Sequence, residues 1–142
     1  DAGIMGSSEM IVGLDSDTPE SIRATLDFVN RARIAIHRFY ILTTIPGSAL
    51  YDELKAQGRL VTDEWERFDG SQAVHTPTHM GAEQLTELYW WLNRQIFSWR
   101  SILHRTLLNP AARKQPGLHL FAFGVNLHYR RYVMKRVPPN IF

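Results

Sequence analysis

The spacing of hydrophobic and polar positions changes several times along this chain, and each change predicts an element. Residues 8–14 form a short apolar run containing Ile11 and Val12, the pattern of a buried strand. Asp15-Ser16-Asp17 breaks that run. Thr18 is a good helix N-cap, and Pro19 suits the first helical position, where a missing N–H costs nothing. Ile22, Leu26 and Val29, with Ala24 and Phe28, then recur at helical spacing to about Arg33. Residues 34–43 are rich in β-branched and aromatic side chains, which predicts a second strand. Pro46-Gly47 predicts a turn and Ser48 a cap. Residues 49–57 then form a second helix, closed by Gly58.

The pattern loosens over 59–80. Trp65, Phe68, Asp69-Gly70, a short extended piece at 73–75 and Pro77 suggest an ordered connecting loop, because large aromatics tend to find packing partners. From Gly81 the helical period returns and holds longest. Gly81 can cap, with Gln84 at the capping-box position. Leu85, Leu88, Tyr89, Leu92, Ile96, Trp99 and Leu103 form one stripe, stopped by Asn109-Pro110. Such a helix would be about 40 Å long. A last helix is expected over 118–137, after Pro116-Gly117 and before Pro138-Pro139, with Leu120, Phe121, Phe123 and Leu127 toward the core. The expected fold class is therefore α/β, two strand–turn–helix units followed by a mainly helical extension. Its parts are 1–60, a loop over 61–80, and a helical subdomain over 81–142. Two strands are too few to cover their own helices, so either the C-terminal helices supply the core or chains self-associate.

Composition narrows the class. The chain has 142 residues, 44% of them hydrophobic and 21% charged, which suits a globular protein. No apolar run approaches the ~18 residues of a membrane span, and Asp1-Ala2-Gly3 is not the start of a signal peptide. A cytoplasmic location fits. The opening has no initiator Met and reads as if inside an element, so a segment of a longer protein is expected. There is no cysteine, which excludes disulfides, zinc–thiolate sites and ligation of an iron–sulfur cluster by this chain.

Charge is split along the sequence. All 14 Asp and Glu lie within the first 87 residues. Arg94, Arg100, Arg105, Arg113, Lys114, Arg130, Arg131, Lys135 and Arg136 follow with no acid among them. The run 128–136 interleaves these cations with aromatics. It suits either a solvated face of a packed helix or a docking face for an anionic membrane, an acidic partner or nucleic acid. Nucleic acid is not the expected partner. A stand-alone basic interaction module is the alternative function, and peripheral membrane attachment goes with it.

Candidate chemistry sits where the strands end. Gly13 to Glu20 offers backbone N–H groups at a helix N-terminus, but Asp15 and Asp17 would repel an anion. They suit ribose hydroxyls or a cationic ligand better, although Asp17 can equally serve as a cap. Thr43, Pro46 and Gly47 form the corresponding turn after the second strand. The six histidines are scattered, His75 and His79 are separated by Pro77, and no metal-ligand spacing, Ser-His-Asp order or GxxxxGK run is present.

Taken in order, "AGI" (Ala2-Gly3-Ile4), "IVGLDSDTPESI", "FYILTTIPGSALYDELKAQGRL", Trp65, "DG" at 69–70, "HTPTHM" and "LTELY" resemble the C-terminal part of a radical S-adenosylmethionine enzyme. The subgroup is the one with a cobalamin-binding domain, some of whose members methylate lipid-like or other unactivated carbons. The likeness covers about 2–90. It implies the last strand–helix units of a partial TIM-like barrel. It also implies S-adenosylmethionine, a 4Fe-4S cluster and cobalamin in the parent enzyme, with none of them binding this segment alone. The cluster of that family is held by a CxxxCxxC motif, which this chain lacks, and cleaves S-adenosylmethionine to a 5′-deoxyadenosyl radical. Ile11 and Gly13 match the family's adenine-contacting GxIxGxxE strand, with Glu9 and Ser16 at the first Gly and the final Glu. By the same resemblance Ile11, Gly13, Asp15, Asp17, Thr43, Pro46 and Gly47 would line the cofactor side. The segment would be barrel wall and substrate-side cap, not catalytic by itself. Its partners would be the N-terminal portion of the same protein and a small or lipid-like substrate.

Overall fold

The computed structural model describes residues 5–139; the Ala2-Gly3-Ile4 part of the motif lies outside them. In chain order the elements are β1 (Ser7–Val12), α1 (Pro19–Ala32), β2 (Ile36–Ile41), α2 (Ala49–Ala56), α3 (Ala82–Ile96), α4 (Trp99–Arg105) and α5 (Pro116–Val133). Short 3-10 turns occur at Trp65–Arg67 and Pro110–Arg113.

The front half follows the local signals. Thr18 and Ser21 form a reciprocal capping box over α1, and Pro19 takes its first position. Ser48 caps α2 by accepting the Tyr51 N–H. Gly58, at φ +66, supplies the left-handed residue that ends it. β1 and β2 pair in parallel, with Ser7 opposite Ile36 through Val12 opposite Ile41. His37, Phe39 and Ile41 form the buried face of β2. On β1 the alternate residues Ser7, Glu9 and Ile11 are exposed. Among the described residues β1 pairs only with β2, so its second edge carries no ladder.

The helices supply the core. Leu85, Leu88, Tyr89, Leu92, Ile96, Phe97 and Ile102 join Val12, Phe39 and Ile41 of the sheet and Ile22 and Val29 of α1 in one buried cluster. The 59–80 segment is tied in by backbone bonds. Val61 and Thr76 N–H donate to Val74 and Arg59 carbonyls, Leu60 bridges His75, and Ile41 N–H donates to Gly70. Its anchors are Ala73, Val74 and His75. Trp65, expected to find a packing partner, meets the ring of Phe68 but stays 65% exposed.

Two expectations about the helical half need correction. The long helix is broken at Phe97-Ser98. Ser98 adopts extended backbone and caps α4 through Ser101 N–H, while Phe97 is fully buried at the bend. The break leaves the last carbonyls of α3 without helical partners. Two guanidinium groups meet them: Arg105 Nη2 donates to Ile96 O at 2.9 Å, and Arg130 Nη1 to Phe97 O at 2.7 Å. Cations there also suit the negative end of the helix dipole. The second correction is the facing of α5. Its buried side carries His119, Ala122, Asn126, Tyr129 and Val133, whereas Leu120 and Phe121 point outward. Burying Asn126 is favoured because its side chain bridges Ala35 O and Arg105.

The buried histidines predict the acid response. Burial, helped by the charge of Arg105, lowers the His37 pKa to about 4. Burial lowers His75 as well. A histidine in the unfolded chain titrates near 6.5, so the unfolded state takes up protons that the fold refuses. Stability is therefore full above pH 6.5 and falls as the pH drops toward 4, with His37 alone contributing about 3 kcal/mol of that loss. Urea denaturation at stepped pH should show this slope, and His37→Asn should flatten it.

Candidate functional site at the strand ends

The two candidate turns follow the C-terminal ends of adjacent parallel strands, the edge where such sheets present ligands. The first turn is held internally. Asp17 Oδ2 accepts Gly13 N–H at 2.8 Å and Leu14 N–H at 2.9 Å, and Asp17 N–H donates to Leu14 O at 2.9 Å. Gly13 sits at φ +93, with Leu85 of α3 pressed against the place where a Cβ would project. Only glycine combines that backbone with that approach.

The connecting loop closes on this turn. Arg59 Nη1 donates to Asp15 Oδ2 at 3.0 Å and its Nη2 pairs with Asp15 Oδ1. Thr78 N–H donates to the same carboxylate at 3.1 Å. Arg59 Nε also donates to Thr76 O at 2.9 Å. The Arg59 hydrogen bond, with Thr78 behind it, holds the Asp15 carboxyl at about 2. His75 Nε2 lies 3.0 Å from Gly13 O. A carbonyl can only accept, so Nε2 carries the proton. Asp15 is thus committed to Arg59 and Thr78, and Asp17 to its own turn.

Arg59, His75 and Thr78 did not emerge as site residues from the sequence. Their partners lie more than 40 positions away, beyond any periodicity. The one available hint was Arg59 itself, a cation immediately after the helix-ending Gly58.

The second turn is more open. Ser48 N–H donates to Ile45 O at 2.9 Å around Pro46-Gly47, with Gly47 at φ +85, the arrangement of a type II turn. Thr43 Oγ1 donates to Ile41 O at 3.0 Å. The Thr44 hydroxyl is buried with no hydrogen-bond partner among the described residues. Ile45 is 69% exposed and Ile11, on the open face of β1, 54%. The strand ends therefore combine two rigid turns with uncovered aliphatic surface. No group of three or more His, Asp or Glu positioned for a metal occurs among the described residues.

Comparison with known proteins adds the chemistry of relatives. No family model matches the chain, and no solved structure matches it. Over 95 residues it is 32% identical to the bacteriochlorophyllide d C-12(1)-methyltransferase of Chlorobaculum tepidum, covering 67% of this chain and 20% of that protein. It is 31% identical over 96 residues to the C-8(2)-methyltransferase of the same organism, covering 66% and 21%. With the hopanoid C-2 methylase of Rhodopseudomonas palustris it shares 37% over 62 residues, covering 44% and 12%. The chain spans about a fifth or less of the length of these curated relatives. Over most of its own length, then, this chain is similar to one segment of a set of much longer methyltransferases.

Proposed function

We propose that this chain forms the closing wall of a radical S-adenosylmethionine methylase, as the C-terminal part of a longer polypeptide. The observation that carries the reading is the likeness, over about two thirds of the chain, to methyltransferases of which it spans only a fifth. The fold supports it in two ways. Among the described residues the parallel β–α–β–α front is a two-stranded sheet, and the outer edge of β1 carries no ladder, where a further barrel strand could pair. The turns after its strands lie where such barrels place their ligands.

The residues present do not fit an iron–sulfur cluster. The chain has no cysteine, and the described His, Asp and Glu form no metal-binding group. The cluster's ligands, and cobalamin if the enzyme uses it, belong to the rest of the polypeptide. S-adenosylmethionine, when bound, would supply either a methyl group or, on one-electron reduction by the cluster held elsewhere in the polypeptide, a 5′-deoxyadenosyl radical with methionine as the other product. The part of this chain is to shape its surroundings. Ile11 and Ile45 offer aliphatic surface that fits the face of an adenine ring and keeps water off it. Gly13 lets the β1 turn pass close to α3. Asp17, Asp15, Arg59 and His75 hold that turn rigid. Thr43 and Pro46-Gly47 do the same for β2.

The reading is tested by the coding sequence. The reading frame that encodes this chain should also encode a CxxxCxxC motif upstream. A frame that opens at this chain, with no such motif, would contradict it.

A further inference from the structure

α5 is apolar around most of its circumference, yet packing accounts for one side only. His119, Ala122, Asn126, Tyr129 and Val133 are buried, and the helix packs on α3, α4 and β2. A solvated outer face would be polar. Instead Leu120 and Phe121 there are 63% and 62% exposed. Leu107, Leu108 and Leu118, just before and at the start of the helix, are exposed as well.

Toward its C-terminal end the same face becomes basic. Trp99, Leu127, Arg130, Arg131, Met134 and Lys135 line a groove of about 460 Å³. The Arg130 guanidinium lies 5.2 Å from the Trp99 ring. Arg136 pairs with Glu87, while Arg131 and Lys135 make no ion pair among the described residues. No acidic residue occurs anywhere in α5 or after Glu87.

We propose that the outward face of α5, with Trp99 beside it in the groove, docks on an anionic lipid membrane. Leucine and phenylalanine enter the headgroup boundary, Trp99 sits at the interface, and Arg131 and Lys135 meet lipid phosphates. Charge selects this occupant. A second copy docking through this same face would bring an equally basic surface against the first, opposing like charges. A nucleic acid would use the cations but leave the exposed leucines without a role. Attachment is peripheral, because no helix among the described residues is long and apolar enough to cross a membrane. The proposal does not depend on the radical reading above.

The test is co-sedimentation of the full chain with phosphatidylcholine vesicles, with and without phosphatidylserine. The anionic vesicles should be bound at least about tenfold more tightly, and high salt should release the protein. Arg131→Glu with Lys135→Glu should remove that preference. Phe121→Asp should weaken binding about tenfold on the anionic vesicles. All three side chains are on the surface, and circular dichroism checks that the fold is kept. Equal binding to both vesicles, binding to neither, or binding unmoved by these variants would overturn the proposal. So would a dimer dissolved by Phe121→Asp, or a preference for nucleic acid over anionic vesicles.

Discussion

Arg105→Met is expected to destabilise the fold by about 4 kcal/mol, a large share of the 5–15 kcal/mol typical of a domain. Arg105 is fully buried, and no carboxylate among the described residues pairs with it. Its guanidinium is satisfied by other groups: Ile34 O at 2.9 Å, Ala35 O at 3.3 Å, Ile96 O at 2.9 Å, Asn126 Oδ1 at 3.0 Å and Ser101 Oγ at 3.2 Å. One side chain thus ties the entry to β2, the end of α3, α4 and α5 together. Burial lowers its pKa only to about 10, so it is charged at neutral pH. Methionine would relieve the buried charge but strand several buried acceptors, each worth about 1–3 kcal/mol. Urea denaturation should show the midpoint falling by about 2 M. A loss below about 1 kcal/mol would mean that the network can rearrange around an apolar side chain.

Gly13→Ala is expected to cost about 3 kcal/mol, from two sources. A non-glycine residue at φ +93 is strained by about 1–3 kcal/mol. The added methyl would also lie 2.6 Å from Leu85 Cδ2, inside a core where Leu85 is fully buried. The double variant Gly13→Ala/Leu85→Ala separates them. It removes the clash and leaves the strain, so the two substitutions together should cost less than their sum by about 1 kcal/mol or more. Strict additivity in thermal or urea unfolding would show that Leu85 moves aside freely.

The front of the molecule was legible because its signals are local. Thr18-Pro19, Ser48 and Gly58 each fix a helix end within a few residues; the 34–43 run contains β2, and the 8–14 run overlaps all of β1 but Ser7. The helical half was less legible because long-range partners decide it. The 3.6-residue stripe runs unbroken from Leu85 to Leu103, and nothing in that period announces the bend at Phe97-Ser98. The bend becomes favourable only when Arg105 and Arg130 reach back to the carbonyls it exposes. The same network turns α5, since Asn126 gains more from Arg105 and Ala35 O than a leucine would gain at that position. At the strand ends the candidate turns were readable in sequence. Their clamp was not, because Asp15 meets Arg59 and Thr78, and Gly13 meets His75, across the whole of α1, β2 and α2.

The central claim, that this chain walls a radical S-adenosylmethionine site completed by the rest of its polypeptide, is tested most directly by the full product of the reading frame. That protein is reconstituted anaerobically with iron and sulfide, reduced, and incubated with S-adenosylmethionine. The account predicts one 4Fe-4S cluster per chain and release of 5′-deoxyadenosine. A full-length product that takes up no cluster and forms no 5′-deoxyadenosine would contradict it.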